Sequence, residues 1–143
     1  MSSINVDKLL YSVEIMETEE IKDYPEGIDL TISFGEGFLL VFAINDSNSF
    51  QLLKEKREKI IKQKKGENCP FILVGSKQDL ESEREVSYFD AKALADSWGC
   101  EYIETSAKLN YNCDEIFEKL GIIILNKRNN EKNVRHCCCC NIF

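Results

Sequence analysis

The sequence predicts an α/β protein, a parallel sheet with helices on its faces. Three observations carry this. Short apolar runs at Phe38–Ile44 (FLLVFAI), Phe71–Gly75 (FILVG) and Tyr102–Thr105 (YIET) have the length and β-branched or aromatic content of buried strands. Segments of helical period separate them. Strands that alternate with helices of this length form βαβ units, whose strands run parallel.

Taken in order, Leu9–Ile15 alternates weakly and reads as a strand. Met16–Ser33 is acidic, contains Pro25 and Gly27, and reads as irregular or as one short helix. After the first apolar run, Ser49–Lys65 places Phe50, Leu53, Ile60 and Ile61 on one helical face. Ser87 opens the next helix, with Asp90 as its capping partner. Ala91, Leu94, Ala95 and Trp98 follow at i, i+3, i+4 and i+7, and Gly99 closes the helix. Phe117, Leu120, Gly121 and Ile124 give the last helix the same kind of stripe. Asn126–Arg135 has no periodicity and reads as a polar linker. The expected organisation is a single domain over residues 1–125 and a basic, cysteine-bearing tail over residues 126–143.

Composition narrows the function. A net charge of −7 over 143 residues argues against nucleic acid as a partner. The charge is uneven, about +3 over residues 126–136 and about −10 over the rest. No apolar run is long enough to span a bilayer, and Met1–Asn5 lacks the pattern of a secretory signal. Cys69, Cys100 and Cys113 are scattered and read as reduced thiols rather than a disulfide framework.

The final residues, Cys140-Asn141-Ile142-Phe143, read as a C-a-a-X signal in which Phe favours geranylgeranyl on Cys140. Cys137, Cys138 and Cys139 are candidate palmitoyl acceptors. One prenyl chain holds a membrane only marginally, so a stable anchor takes a second signal. Acyl chains and the basic Lys127, Arg128, Lys132 and Arg135 supply it on an anionic leaflet. The expected partners are a prenyltransferase and the cytosolic leaflet, and the expected location is the cytoplasmic side of the cell membrane. The competing reading is a zinc site built from His136 and the cysteines, although zinc sites normally space their ligands as pairs.

Two loops at strand ends carry the residues with binding chemistry. Ser76-Lys77-Gln78-Asp79 follows the second apolar run, and Ser106-Ala107-Lys108 follows the third. Open parallel sheets bind ligands beyond the carboxyl ends of their strands. The Asp79 carboxylate suits the N1–H and exocyclic amine of guanine. The Lys77 stem suits the base plane, and the Ala107 N–H suits the guanine carbonyl. Either tetrapeptide alone reads equally as a solvated turn. Together, on consecutive strands, they point to one site.

At this level the chain resembles the Ras family of small GTPases. The resemblance rests on Gly35-Glu36-Gly37-Phe38-Leu39-Leu40-Val41-Phe42-Ala43-Ile44-Asn45, on Val74-Gly75-Ser76-Lys77-Gln78-Asp79-Leu80, on Glu104-Thr105-Ser106-Ala107-Lys108, and on the C-a-a-X end. It runs from Gly35 to Phe143. It implies a Ras-like P-loop NTPase fold, GTP and GDP as ligands, slow hydrolysis with magnesium, Ras-type regulators, and signalling from the membrane. It assigns the guanine base to Ser76, Lys77, Asp79, Leu80, Ser106, Ala107 and Lys108.

The departures set equally specific expectations. Ser76 stands where the family has the Asn that ties the base loop to the phosphate loop, so nucleotide retention is expected to be weaker. The family's Asp-Thr-Ala-Gly-Gln aligns with Glu17-Thr18-Glu19-Glu20-Ile21, leaving Glu17 and Thr18 as a switch remnant. Glu20 puts negative charge where the γ-phosphate is approached, and Ile21 cannot orient water as Gln does. No G-x-x-x-x-G-K-[ST] occurs in the sequence. The phosphate loop and first switch would lie before residue 1, which leaves the fold incomplete at its N-terminus and magnesium without secure ligands. In a Ras-like sheet the strand leading to that loop lies between Leu9–Ile15 and Phe38–Ile44. Its loss is expected to leave Leu9–Ile15 unpaired or shifted against Phe38–Ile44. Three readings stay open: a lipid-anchored family member with an incomplete nucleotide site, a non-catalytic membrane-anchored interaction module or truncated gene product, and a longer protein whose upstream segment carries the phosphate loop.

Overall fold

The computed structural model describes residues 2–6, 9–17, 25–130 and 138–142. The elements follow in the order β1 (Ser2–Val6), β2 (Leu9–Glu17), α1 (Pro25–Phe34), β3 (Gly37–Ala43), α2 (Ser47–Gln51), α3 (Leu53–Gln63), β4 (Phe71–Ser76), α4 (Tyr88–Trp98), β5 (Glu101–Glu104), α5 (Cys113–Asn130) and β6 (Cys138–Ile142). They build one six-stranded sheet in the order β1-β2-β6-β3-β4-β5. Only the β1–β2 pair is antiparallel; β2–β6, β6–β3, β3–β4 and β4–β5 are parallel.

The apolar runs are strands because both sheet faces are covered, which removes the need for polar alternation. Phe38, Leu40, Phe42 and Leu73 face one core with Ile32 of α1, Leu53 and Ile60 of α3, and Ala91 and Ala95 of α4. Leu39, Ile72, Val74 and Ile103 face the other core with Val13 of β2 and Ile116, Leu120 and Ile124 of α5. Each fully buried Leu or Phe contributes roughly 1.5–3 kcal/mol by leaving water.

The helix ends follow their local chemistry. Ser87 Oγ accepts from the Asp90 N–H at 3.0 Å, and Gly99 closes α4 in the left-handed region at φ 68. The segment expected as one helix from Ser49 is instead two. Asp46 Oδ1 accepts from the N–H groups of Asn48 and Ser49 at 3.0 and 3.2 Å, so the helical backbone begins earlier, at Ser47. Leu52 then separates α2 from α3.

Other expectations are revised. β1 had no sequence signal, and β2 extends through Glu17. Within the acidic stretch, Pro25 begins α1, where its missing N–H costs no helical bond; residues 18–24 lie outside the described residues. The helix α5 does not end at residue 125 but runs to Asn130. Its last turn is tied down by Lys127 Nζ donating to the Asn68 carbonyl at 2.6 Å and by Arg128 Nε donating to Glu36 Oε2 at 2.7 Å.

The largest revision concerns the centre of the sheet. β2 is neither unpaired nor shifted against β3. Cys138–Ile142 lies between them as a parallel strand, with Ile15 opposite Cys140 on one side and Gly37 opposite Cys140 on the other. A buried backbone group left without a partner costs about 1–3 kcal/mol, so a five-residue strand with ladders on both edges removes a large penalty.

Candidate functional site: a cleft beyond the ends of β4 and β5

The carboxyl ends of β4 and β5 lead into two loops that their backbones lock together. The Thr105 N–H donates to the Gly75 carbonyl at 2.8 Å, and the Gln78 N–H donates to the Thr105 carbonyl at 3.0 Å. The chain reverses sharply after β4 because Lys77 takes a left-handed conformation, φ 61 and ψ 37, before the 3-10 turn Gln78–Glu83. The second loop is closed by a two-way backbone pair, Ser106 N–H to the Tyr111 carbonyl at 3.1 Å and Tyr111 N–H to the Ser106 carbonyl at 2.9 Å.

A side-chain bond joins the loops. Ser106 Oγ donates to Asp79 Oδ1 at 2.5 Å and accepts from the Leu109 N–H at 3.2 Å. Ser106 is fully buried. One carboxylate oxygen of Asp79 is thereby fixed, and the carboxylate is oriented before any ligand arrives.

Ser76, Lys77, Asp79, Leu80, Ala107 and Lys108 line a single cleft of about 590 Å³. Six of the seven residues assigned to the base thus meet in one place, and the seventh, Ser106, orients Asp79. The volume lies in the range of small-molecule pockets. Thr105, Cys113, Ile116 and Phe117 complete the lining. These were not anticipated, because Ile116 and Phe117 carry only the signal of a helix core stripe. Among the described residues, no backbone carbonyl accepts from the Ala107 N–H.

Ser76 does not reach across toward a phosphate site. Its hydroxyl donates to the Phe42 carbonyl on β3 at 2.9 Å, which turns it into the sheet. Behind the loops, Arg84 clamps Glu104 with two bonds, Nη1 donating to Oε1 at 2.8 Å and Nη2 to Oε2 at 2.9 Å. Tyr102 Oη donates to the same Glu104 Oε1 at 2.7 Å. Hydrogen bonds that Arg84 donates to Glu104 and Glu81 hold its guanidinium charge even more firmly than usual. Burial, then the bond to Glu104, raises the Tyr102 hydroxyl far above its ordinary value. Arg84 was missed in the sequence because one arginine in a polar loop has no distinguishing pattern.

The other predicted residues stand apart. Glu17 ends β2 and is exposed, while Thr18, and with it Glu20 and Ile21, lies outside the described residues. The backbone of Cys138, Cys139 and Cys140 is in β6; Cys137 lies outside the described residues. The zinc alternative falls largely there too, and among the described residues no group of His, Cys, Asp and Glu is arranged to hold a metal.

The profile of the Ras family matches residues 1–126. The chain belongs to the Ras family. The match includes β1 and β2, whereas the residue-by-residue resemblance began at Gly35. Guanine nucleotides are the family's ligands, and the cleft lies where that expectation puts the base. In this Ras-family chain the cleft presents an oriented carboxylate, a lysine stem and a backbone N–H, and the position between β2 and β3 is filled by Cys138-Cys139-Cys140-Asn141-Ile142, a segment without glycine or lysine.

Proposed function

We propose that this chain is a Ras-family protein that recognises the guanine base weakly, does not hydrolyse GTP by itself, and works from the cytosolic face of a membrane through a lipidated tail. The observation that carries the base assignment is the convergence of Lys77, Asp79 and Ala107 on one cleft with Asp79 oriented by Ser106. Charge-assisted bonds donated by the base to Asp79 contribute roughly 1.5–3 kcal/mol. Association costs at least about 4 kcal/mol of lost freedom. Base contacts alone therefore support only weak affinity, and the Ser76 hydroxyl, engaged with Phe42, adds no tie toward phosphate.

Membrane attachment rests on Cys140 as prenyl acceptor, on Cys137, Cys138 and Cys139 as acyl acceptors, and on the basic stretch before them. The absence of phosphate-binding residues from the β6 position favours a non-catalytic interaction module over a cycling switch, with Ras-type regulators as its candidate partners. Magnesium has no role in this reading. NMR titration with guanosine tests the base assignment: amide shifts centred on Lys77, Asp79 and Ala107 support it. Shifts elsewhere, or shifts unchanged in Asp79→Ala, overturn it.

A further inference from the structure

We propose that the slot between β2 and β3 is a strand-accepting site for the chain's own residues 138–142, and that strand insertion and lipid attachment at Cys140 exclude one another. The second half rests on the lipid-anchor reading; the first does not.

The slot is specific about what it takes. On its β2 edge the register runs from Val13 opposite Cys138 to Glu17 opposite Ile142. On its β3 edge it runs from Gly37 opposite Cys140 to Leu39 opposite Ile142. The occupant is therefore a parallel strand, paired on both sides. A parallel strand needs a crossover connection, and α5 provides it, returning the chain to the end of the sheet where the parallel strands begin. Ile142 packs into the core with Val13, Leu39 and Ile124, which sets the register from the apolar side.

The backbone of Cys140 lies in this strand, paired to Ile15 on one edge and Gly37 on the other. Both faces of β6 are covered, by α1 on one side and α5 on the other. The register partner of Cys140 on β3 is Gly37, and a Cβ added there would lie 2.8 Å from Ile124 Cδ1 and 2.9 Å from Leu120 Cδ1. The slot is thus closed against α5 at this level, and a strand carrying a prenyl chain does not seat there without displacing a helix.

The covalent step requires the opposite state. The Cys140 sulfur bonds to C1 of an isoprenyl diphosphate, the C–O bond to diphosphate breaks, diphosphate leaves, and the thiol proton passes to solvent. The acceptor segment must be extended and free to enter a transferase, so its ladders with β2 and β3 have to open first. Once the chain is attached, it blocks return. The unmodified protein holds its own membrane signal inside its sheet; the modified protein exposes a vacant parallel slot whose edges are Val13–Glu17 and Gly37–Leu39.

Amide hydrogen exchange on the full chain decides this. The unmodified protein is compared with protein modified at Cys140 by a prenyltransferase and geranylgeranyl diphosphate. The expected result is protection across residues 13–17 and at Leu39 in the unmodified chain, its loss after modification, and unchanged protection in β4 and at Phe38, whose N–H donates to the Pro70 carbonyl at 3.0 Å on the other edge. If the transferase modifies a free peptide of residues 131–143 but not the folded chain, insertion itself blocks it, as proposed; if it modifies neither, the lipid reading fails while the slot remains testable. Cys140 is then alkylated with a long-chain maleimide in Cys137→Ser/Cys138→Ser/Cys139→Ser, the site being located by mass spectrometry. Edges that exchange freely in the unmodified chain, or stay protected after either modification, overturn the proposal. Protection that grows with protein concentration also overturns it, because the occupant is then the tail of a second copy.

Discussion

The Ser106 hydroxyl donates to the Asp79 carboxylate at 2.5 Å, joining the loop after β4 to the loop after β5. Ser106→Ala removes that bond and the acceptor for the Leu109 N–H. The expected cost is about 1.5–3 kcal/mol, since the acceptor is a carboxylate. This corresponds to a fall in Tm of roughly 5–15 °C for a domain of this size. Guanosine binding should weaken with it, since Asp79 loses its orientation. Thermal unfolding and titration of the same variant check both, and an unchanged Tm would remove the coupling between the loops.

Gly75 is glycine because of Tyr102. A Cβ at Gly75 would lie 2.5 Å from Tyr102 Oη, and that hydroxyl is held by Glu104. Gly75→Ala is expected to destabilise by about 1–3 kcal/mol through overpacking. Combined with Tyr102→Phe, which removes the offending atom, the loss should be smaller than the sum of the two single changes. A double variant that shows simple additivity would contradict the contact.

Tyr102 also predicts alkaline behaviour. Burial, and next the hydrogen bond to Glu104, raises its folded pKa above the ordinary value of 10.0. The folded state thus keeps a proton that the unfolded state releases. The stability this provides is complete below the unfolded value and is lost as pH rises above it toward the folded value. Denaturant unfolding at increasing pH should therefore show wild type losing stability above about pH 10 more steeply than Tyr102→Phe. Equal slopes would mean that Tyr102 ionises in the native state.

Membrane attachment should depend on Cys140. Cell fractionation of wild type and Cys140→Ser should show only wild type with membranes. Cys137→Ser/Cys138→Ser/Cys139→Ser should bind reversibly, as a single prenyl chain does. Equal sedimentation of wild type and Cys140→Ser would remove the anchor from the account.

The parallel core and the meeting of Lys77, Asp79 and Ala107 in one cleft were legible in the sequence because both are local: FLLVFAI and FILVG are long enough to mark buried strands, and the three residues follow strands directly. The sequence did not reveal β1, whose polar SSINV offers no apolar stripe. The extension of α5 to Asn130 was hidden because it depends on Lys127 and Arg128 reaching Asn68 and Glu36. Nor was β6 legible: Cys138-Cys139-Cys140-Asn141-Ile142 carries a tail signal, and its strand conformation comes from two edges far away in sequence. The cost of those open edges was foreseeable, and the segment that covers them was not.

Calorimetric titration of the unmodified full chain with GDP, with and without magnesium, tests the central claim most directly. Base contacts alone predict a Kd of about 1 mM or weaker, equivalent to about 4 kcal/mol. Magnesium should leave it unchanged, guanosine should bind about as well as GDP, and Asp79→Ala should abolish it. Micromolar binding that requires magnesium would contradict the account, because it demands phosphate contacts that the strand between β2 and β3 does not supply.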